Sequence, residues 1–205
     1  MKLKENGTYM AVDDEQKEIE LYKVMSLEES TTTFWGEYYK INQEGAQAFL
    51  SPYHAVVNDK MRPIPRSRYY GALHIINTAA TDIYRILLAN ERPFPKYMRP
   101  GLCYVVRFGN YGARKYVICK LWRIEKRDAD DPQKDWDIVS TDDLWTTRWC
   151  DKLEIGMGSV IYKSPSMEHK AIDWDDDFII YKRAFWDLLE IKNKMVKDLW
   201  TYLVK

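Results

Sequence analysis

Alternation of apolar and polar residues dominates the first forty positions. Thr8 to Val12 and Glu18 to Met25 read as strands joined by the turn Asp13-Asp14-Glu15-Gln16, and the aromatic-rich run Phe34 to Ile41 reads as a third. A short helix is expected over Glu44 to Leu50, ending before Ser51-Pro52 because the residue ahead of a proline avoids helical angles. From Tyr70 to Asn90 the period changes. Leu73, Ile76, Ala80, Ile83 and Leu87 recur at three and four, one face of a helix; Asn77 or Thr78 could instead cap a shorter helix, with a strand over 69–76 ahead of it.

Pro93, Pro95 and Pro100 then impose an extended connection. Leu102 to Phe108 and Ala113 to Glu125 are β-rich and flank Gly109-Asn110-Tyr111-Gly112, which predicts a β-hairpin with a short loop. Ser140 and Asp143 have capping-box spacing, predicting a short helix through about Asp151, and Ser159 to Lys163 reads as a strand. Tyr181, Phe185, Leu188, Met195, Leu199 and Tyr202 mark the apolar face of a long C-terminal helix. Lys192, Lys194 and Lys197 fall at its polar positions, and Asp173, Asp175, Asp176 and Asp177 at its start would suit the helix dipole. The expected fold is α+β: an antiparallel, curled sheet or partly open barrel, covered by a central helix and the long C-terminal helix, in a single domain over residues 1–205.

Charge changes the picture more than composition does. The chain has 31 Lys/Arg and 31 Asp/Glu, but they are segregated. Residues 60–127 hold fifteen basic against three acidic side chains (net +12). Residues 1–59 hold five against eleven (net −6), and residues 128–177 five against fourteen (net −9). The basic third also carries ten aromatic residues. Cations interleaved with flat rings suit nucleic acid, because Lys and Arg release phosphate counterions while ring faces stack on exposed bases. The candidate contacts are Arg62, Arg66 and Arg68 in the proline-rich loop, with Arg107, Phe108, Tyr111, Arg114, Lys115 and Tyr116 at the hairpin rim. The arginines and Lys115 would meet phosphates, while Phe108 and Tyr111 would stack or wedge.

The sequence therefore predicts a non-enzymatic protein that binds DNA or RNA. The alternative is an interaction or assembly subunit whose basic face meets an acidic protein partner or a second copy of the chain; the compact, motif-free character would suit a virus-encoded accessory protein. A metal-dependent nucleotide- or nucleic-acid-processing enzyme ranks third. Its candidates are the Asp173–Asp177 cluster and Glu190-Ile191-Lys192, an E-x-K fragment placed in helix rather than in strand. His54, His74 and His169 lie far apart, no P-loop, dinucleotide fingerprint or nucleophile elbow occurs, and neither metal nor cofactor is expected. His74 lies on the apolar pattern of its segment, which predicts a core or edge position. Cys103 and Cys119 fall in opposing strands of the predicted hairpin, where as neighbours a disulfide is conceivable, but cysteines in this setting more often act as small buried hydrophobes. Met1 to Glu5 leads into polar sequence rather than an apolar leader, and no apolar run approaches the length of a membrane span, so a cytoplasmic protein without membrane contact is expected. Over Pro100-Gly101 to Glu125, the order proline, glycine, strand, turn, strand resembles the barrel core of PUA-like RNA-binding domains.

Overall fold

A computed structural model of the chain describes residues 2–28, 33–93, 99, 101–108, 115–126, 137–140, 145–156, 160–164 and 178–205. The architecture is α+β, with antiparallel pairing and no closure into a barrel. The chain forms two compact units: residues 1–81, 158–162 and 191–205 make the first, residues 82–157 and 163–190 the second.

The first unit holds six antiparallel strands in the order β5-β1-β2-β3-β4-β11: β1 (Thr8–Asp13), β2 (Glu18–Leu27), β3 (Thr33–Asn42), β4 (Gly45–Val56), β5 (Arg62–Pro63) and β11 (Val160–Ser164). The three N-terminal strands stand where alternation placed them. The helix expected over 44–50 is strand β4 instead. Asn42 and Gly45 pair directly, the Asn42 Oδ1 accepts the Glu44 N–H at 2.9 Å, and Gly45 adopts φ 141°. That tight turn folds Ala46 onward back along β3, overriding the helix preference of its alanines. Pro52 is tolerated because the β3–β4 ladder is irregular between Gly36 and Tyr38, opposite the segment that carries it.

Both faces of this sheet are covered. On one, Tyr22 stacks on Tyr38 (centroids 5.0 Å apart) and Tyr38 on Phe49 (4.8 Å), within a cluster containing Leu3, Tyr9, Val24 and Phe34. On the other, Met10, Ile19, Leu21, Tyr39 and Ile41 are buried. There α1 (Arg66–Asn90) brings Tyr69, fully buried, against Tyr39, and its hydroxyl donates to Glu37 at 3.0 Å. The helix thus runs unbroken from Arg66, which excludes a strand over 69–76, and His74 is exposed rather than in the core. Helix α2 (Lys182–Val204) contributes Met195, Leu199 and Leu203 to the same unit. Tyr181 and Tyr202, expected on its apolar face, are 56% and 39% exposed. Lys192, expected in solvent, is 4% exposed and donates to the Gln43 carbonyl at 3.1 Å, which ties the β3–β4 turn to the helix.

In the second unit the order is β10-β8-β7-β12-β6, from β6 (Arg92–Pro93), β7 (Cys103–Phe108), β8 (Lys115–Lys126), β10 (Trp145–Gly156) and β12 (Phe178–Ile180), with β9 (Asp137–Ser140) paired to β10. The central hairpin is β7 and β8, in antiparallel register from Cys103 opposite Lys120 to Phe108 opposite Lys115. Cys119 stands opposite Tyr104, so the two cysteines project to opposite faces and form no bridge; both are buried. The helix expected after Ser140 is strand β10. Trp145, Thr146, Thr147 and Trp149 favour the pleated conformation, and β10 pairs with β8 along its length. Strand β12 stands between the Asp173–Asp177 segment and α2, which begins at Lys182 with no acidic residue in its first turn, so those aspartates do not start the helix. No helix among the described residues is long and apolar enough to cross a membrane.

One packing detail yields a test. The Tyr84 hydroxyl is buried without a hydrogen-bond partner among the described residues, its ring edge-on to Tyr116 at 5.6 Å. Burial, with a smaller contribution from Tyr116, pushes its pKa up to about 12. The folded state disfavours the phenolate, so this contribution is complete below the unfolded value of about 10 and is lost as pH rises towards about 12. Tyr84→Phe removes an unsatisfied hydroxyl and should raise unfolding stability by about 1 kcal/mol at neutral pH. Urea titrations from pH 8 upward should show the gap between variant and parent widening above pH 10.

Candidate nucleic-acid interface

The proline-rich basic loop is an ordered edge. Thr8 holds it twice: its Oγ1 donates to the Ile64 carbonyl at 2.8 Å and its carbonyl accepts the Ile64 N–H at 2.9 Å. Between these contacts and the helix stands Pro65, whose carbonyl accepts the N–H groups of Arg68 and Tyr69 and so opens α1; a fixed φ suits proline to this place. Arg62, Arg66 and Arg68 are thereby set on a short strand and the first helical turn, within one unit.

Their partners differ from those of the neighbouring lysine. Lys60 is locked onto Asp13 at 2.7 Å; that hydrogen bond lowers the pKa of Asp13 and raises that of Lys60, so this cation is compensated. Arg66 is exposed and directs Nε and Nη2 to the Asn6 carbonyl at 3.4 and 3.1 Å. Arg68 directs the same pair to the Tyr202 carbonyl at 3.3 and 3.0 Å, capping an acceptor in the last turn of α2. Arg62 is exposed. Among the described residues none of the three has a carboxylate partner, and neutral carbonyls orient the guanidinium groups of Arg66 and Arg68. The first turn of α1 holds no acidic residue, and a helix start already favours anions. Tyr70, next on the helix, is 48% exposed.

At the hairpin the backbone places Arg107 opposite Tyr116 and Phe108 opposite Lys115. The side chains of Arg107, Phe108 and Lys115, and all of Tyr111 and Arg114, lie outside the described residues. Tyr116 is half-buried against Tyr84. The enzyme candidates gain nothing here. No group of His, Cys, Asp and Glu among the described residues could hold a metal ion, Glu190-Ile191-Lys192 sits in α2, and the Asp173–Asp177 cluster and His169 lie outside the described residues.

A second feature escaped the sequence reading. Beside α2 lies a cleft of about 410 Å³ lined by Lys17, Gln43, Asn193, Lys197, Trp200 and Lys205, all within the first unit. Its signal was present in Asn193, Lys197 and Trp200, which repeat at four and three along the helix, but that period was used to find the buried face alone. No family model matches the chain, and no curated protein or solved structure matches it significantly.

Proposed function

We propose that this chain is a non-enzymatic nucleic-acid-binding protein that grips the phosphate backbone with Arg62, Arg66 and Arg68, the hairpin rim supplying further cations and rings. One observation carries the reading: the guanidinium groups of Arg66 and Arg68 are held in place by backbone carbonyls, Arg62 is exposed beside them in sequence, and among the described residues no carboxylate neutralises any of the three. Planar forks fixed in this way suit the bidentate geometry of phosphate, and Tyr70 on the same stretch of helix, 48% exposed with the Lys23 ammonium 5.9 Å from its ring centroid, offers its other face for stacking.

The three arginine contacts set the smallest salt response expected, to which contacts at the hairpin rim add. With a slope of about −0.7 to −0.9 per contact, affinity should fall at least roughly 20- to 40-fold between about 50 and 200 mM salt. Fluorescence anisotropy with a labelled single-stranded oligonucleotide and with a duplex of the same sequence measures this. Binding that ignores salt, or no binding to either, removes the proposal. It would favour the alternative, in which the same arginines meet an acidic protein surface or a second copy of the chain, and light scattering of the protein alone would then detect self-association.

A further inference from the structure

The cleft beside α2 combines two features that rarely coincide unless a ligand uses both. Trp200, partly exposed, lines it together with three lysines, Lys17, Lys197 and Lys205. Four other lysines of this unit are matched with carboxylates: Lys23 with Glu37, Lys40 with Glu18, Lys60 with Asp13, Lys194 with Asp198. The three at the cleft have no such partner among the described residues. Cations lining a cleft beside an aromatic ring favour an anion that bears a flat ring.

Two further details shape the ligand. Lys17 adopts φ 52°, a left-handed conformation that glycine accepts more readily than lysine, in a turn where Asp13 Oδ1 accepts the N–H groups of Glu15 and Gln16. This turn carries the Lys17 ammonium to 5.7 Å from the Trp200 ring centroid. On the other side, Lys192 holds the Gln43 carbonyl, and the exposed Gln43 and Asn193 side chains each offer an amide donor and acceptor at the cleft. A volume of about 410 Å³ lies within the usual range of small-molecule sites and suits one nucleotide rather than a larger cofactor.

We propose that this cleft is a nucleotide subsite, in which a base lies against Trp200, its edge meets Gln43 and Asn193, and its phosphate is received by Lys17, Lys197 and Lys205. An exposed cation–π contact is weaker than a base stacked on indole, so Lys17 exchanges the ring for the phosphate when a nucleotide enters. The subsite is independent of the arginine edge. The nucleotide has two sources, free in solution or one unit of a single strand, and both present the same base and phosphate.

Calorimetric titration of the full chain with AMP tests the assignment, with inorganic phosphate as the comparison. AMP should bind at least tenfold more tightly than phosphate. Trp200→Leu should weaken AMP at least tenfold. Lys17→Gly should weaken it about fivefold without lowering the urea midpoint, since glycine relieves the backbone while the charge is lost; this variant keeps the test valid should Trp200→Leu unfold. Arg62→Gln/Arg66→Gln/Arg68→Gln should leave AMP binding unchanged, and in that background an oligothymidylate of about ten residues tells the sources apart. Competition with AMP identifies a strand and its absence a free nucleotide, and either result supports the subsite. No AMP binding, phosphate binding as tightly as AMP, or affinity insensitive to both Trp200→Leu and Lys17→Gly overturns it.

Discussion

Gly36→Ala should cost the protein about 3 kcal/mol or more of unfolding stability, the largest loss expected from any single methyl group in the first unit. A Cβ at this position would stand 2.0 Å from the Lys23 carbonyl oxygen and 2.9 Å from its carbon. Both belong to the backbone of the adjoining strand, where β2 and β3 come together at an irregularity between Val24 and Ser26. A rotamer change cannot clear them, so the strands must separate in the middle of the sheet. Gly71→Ala is the control. Its Cβ would meet the Tyr202 hydroxyl at 2.2 Å, but that is the far end of a side chain 39% exposed, which can swing aside. This variant should lose less than about 1 kcal/mol. Urea midpoints followed by circular dichroism give both values, and equal losses would contradict the close approach of β2 to β3.

The next residue carries the second large effect. Glu37 accepts the hydroxyl of Tyr69, which is fully buried, at 3.0 Å and pairs with Lys23 at 3.1 Å. The Tyr69 pKa is raised, by burial first and then by the Glu37 charge, and that of Lys23 is raised chiefly by its hydrogen bond to Glu37. Glu37→Ala strands a buried hydroxyl and an ammonium whose side chain is 22% exposed, and should cost about 2–3 kcal/mol. Glu37→Gln keeps an acceptor for Tyr69 and gives up only a partly solvated ion pair, so about 1 kcal/mol is expected. If Glu37→Gln proves as damaging as Glu37→Ala, the ion pair between β2 and β3, rather than the Tyr69 hydrogen bond from α1, carries the loss.

Gly36 and Glu37 lie in a strand readable from sequence, and the reason separates what was legible from what was not. In β1, β2 and β3, as in the β7–β8 hairpin, local alternation and tertiary pairing agree. At β4 and β10 they conflict: Ala46 to Leu50 are acceptable in a helix and Ser140 with Asp143 imitates a cap, yet pairing with β3 and β8 decides both. Lys192 was misplaced for a related reason. Its type predicts solvent, and only the Gln43 carbonyl, far away in sequence, makes burial tolerable. Segment charge located the arginine edge because Arg62, Arg66 and Arg68 are contiguous. It passed over the Trp200 cleft, whose lysines come from the β1–β2 turn and from α2, in segments of opposite net charge.

The arginine edge is the central claim, and the salt dependence of oligonucleotide binding examines it most directly. Plotted as log affinity against log salt, the slope for Arg62→Gln/Arg66→Gln/Arg68→Gln should be shallower than that of the parent by about two to three, roughly one for each lost phosphate contact. Lys60→Gln, which removes a cation already locked onto Asp13, should leave the slope where it was. Parallel lines for the parent and the triple variant, with both folded by circular dichroism, would show that these arginines meet no phosphate.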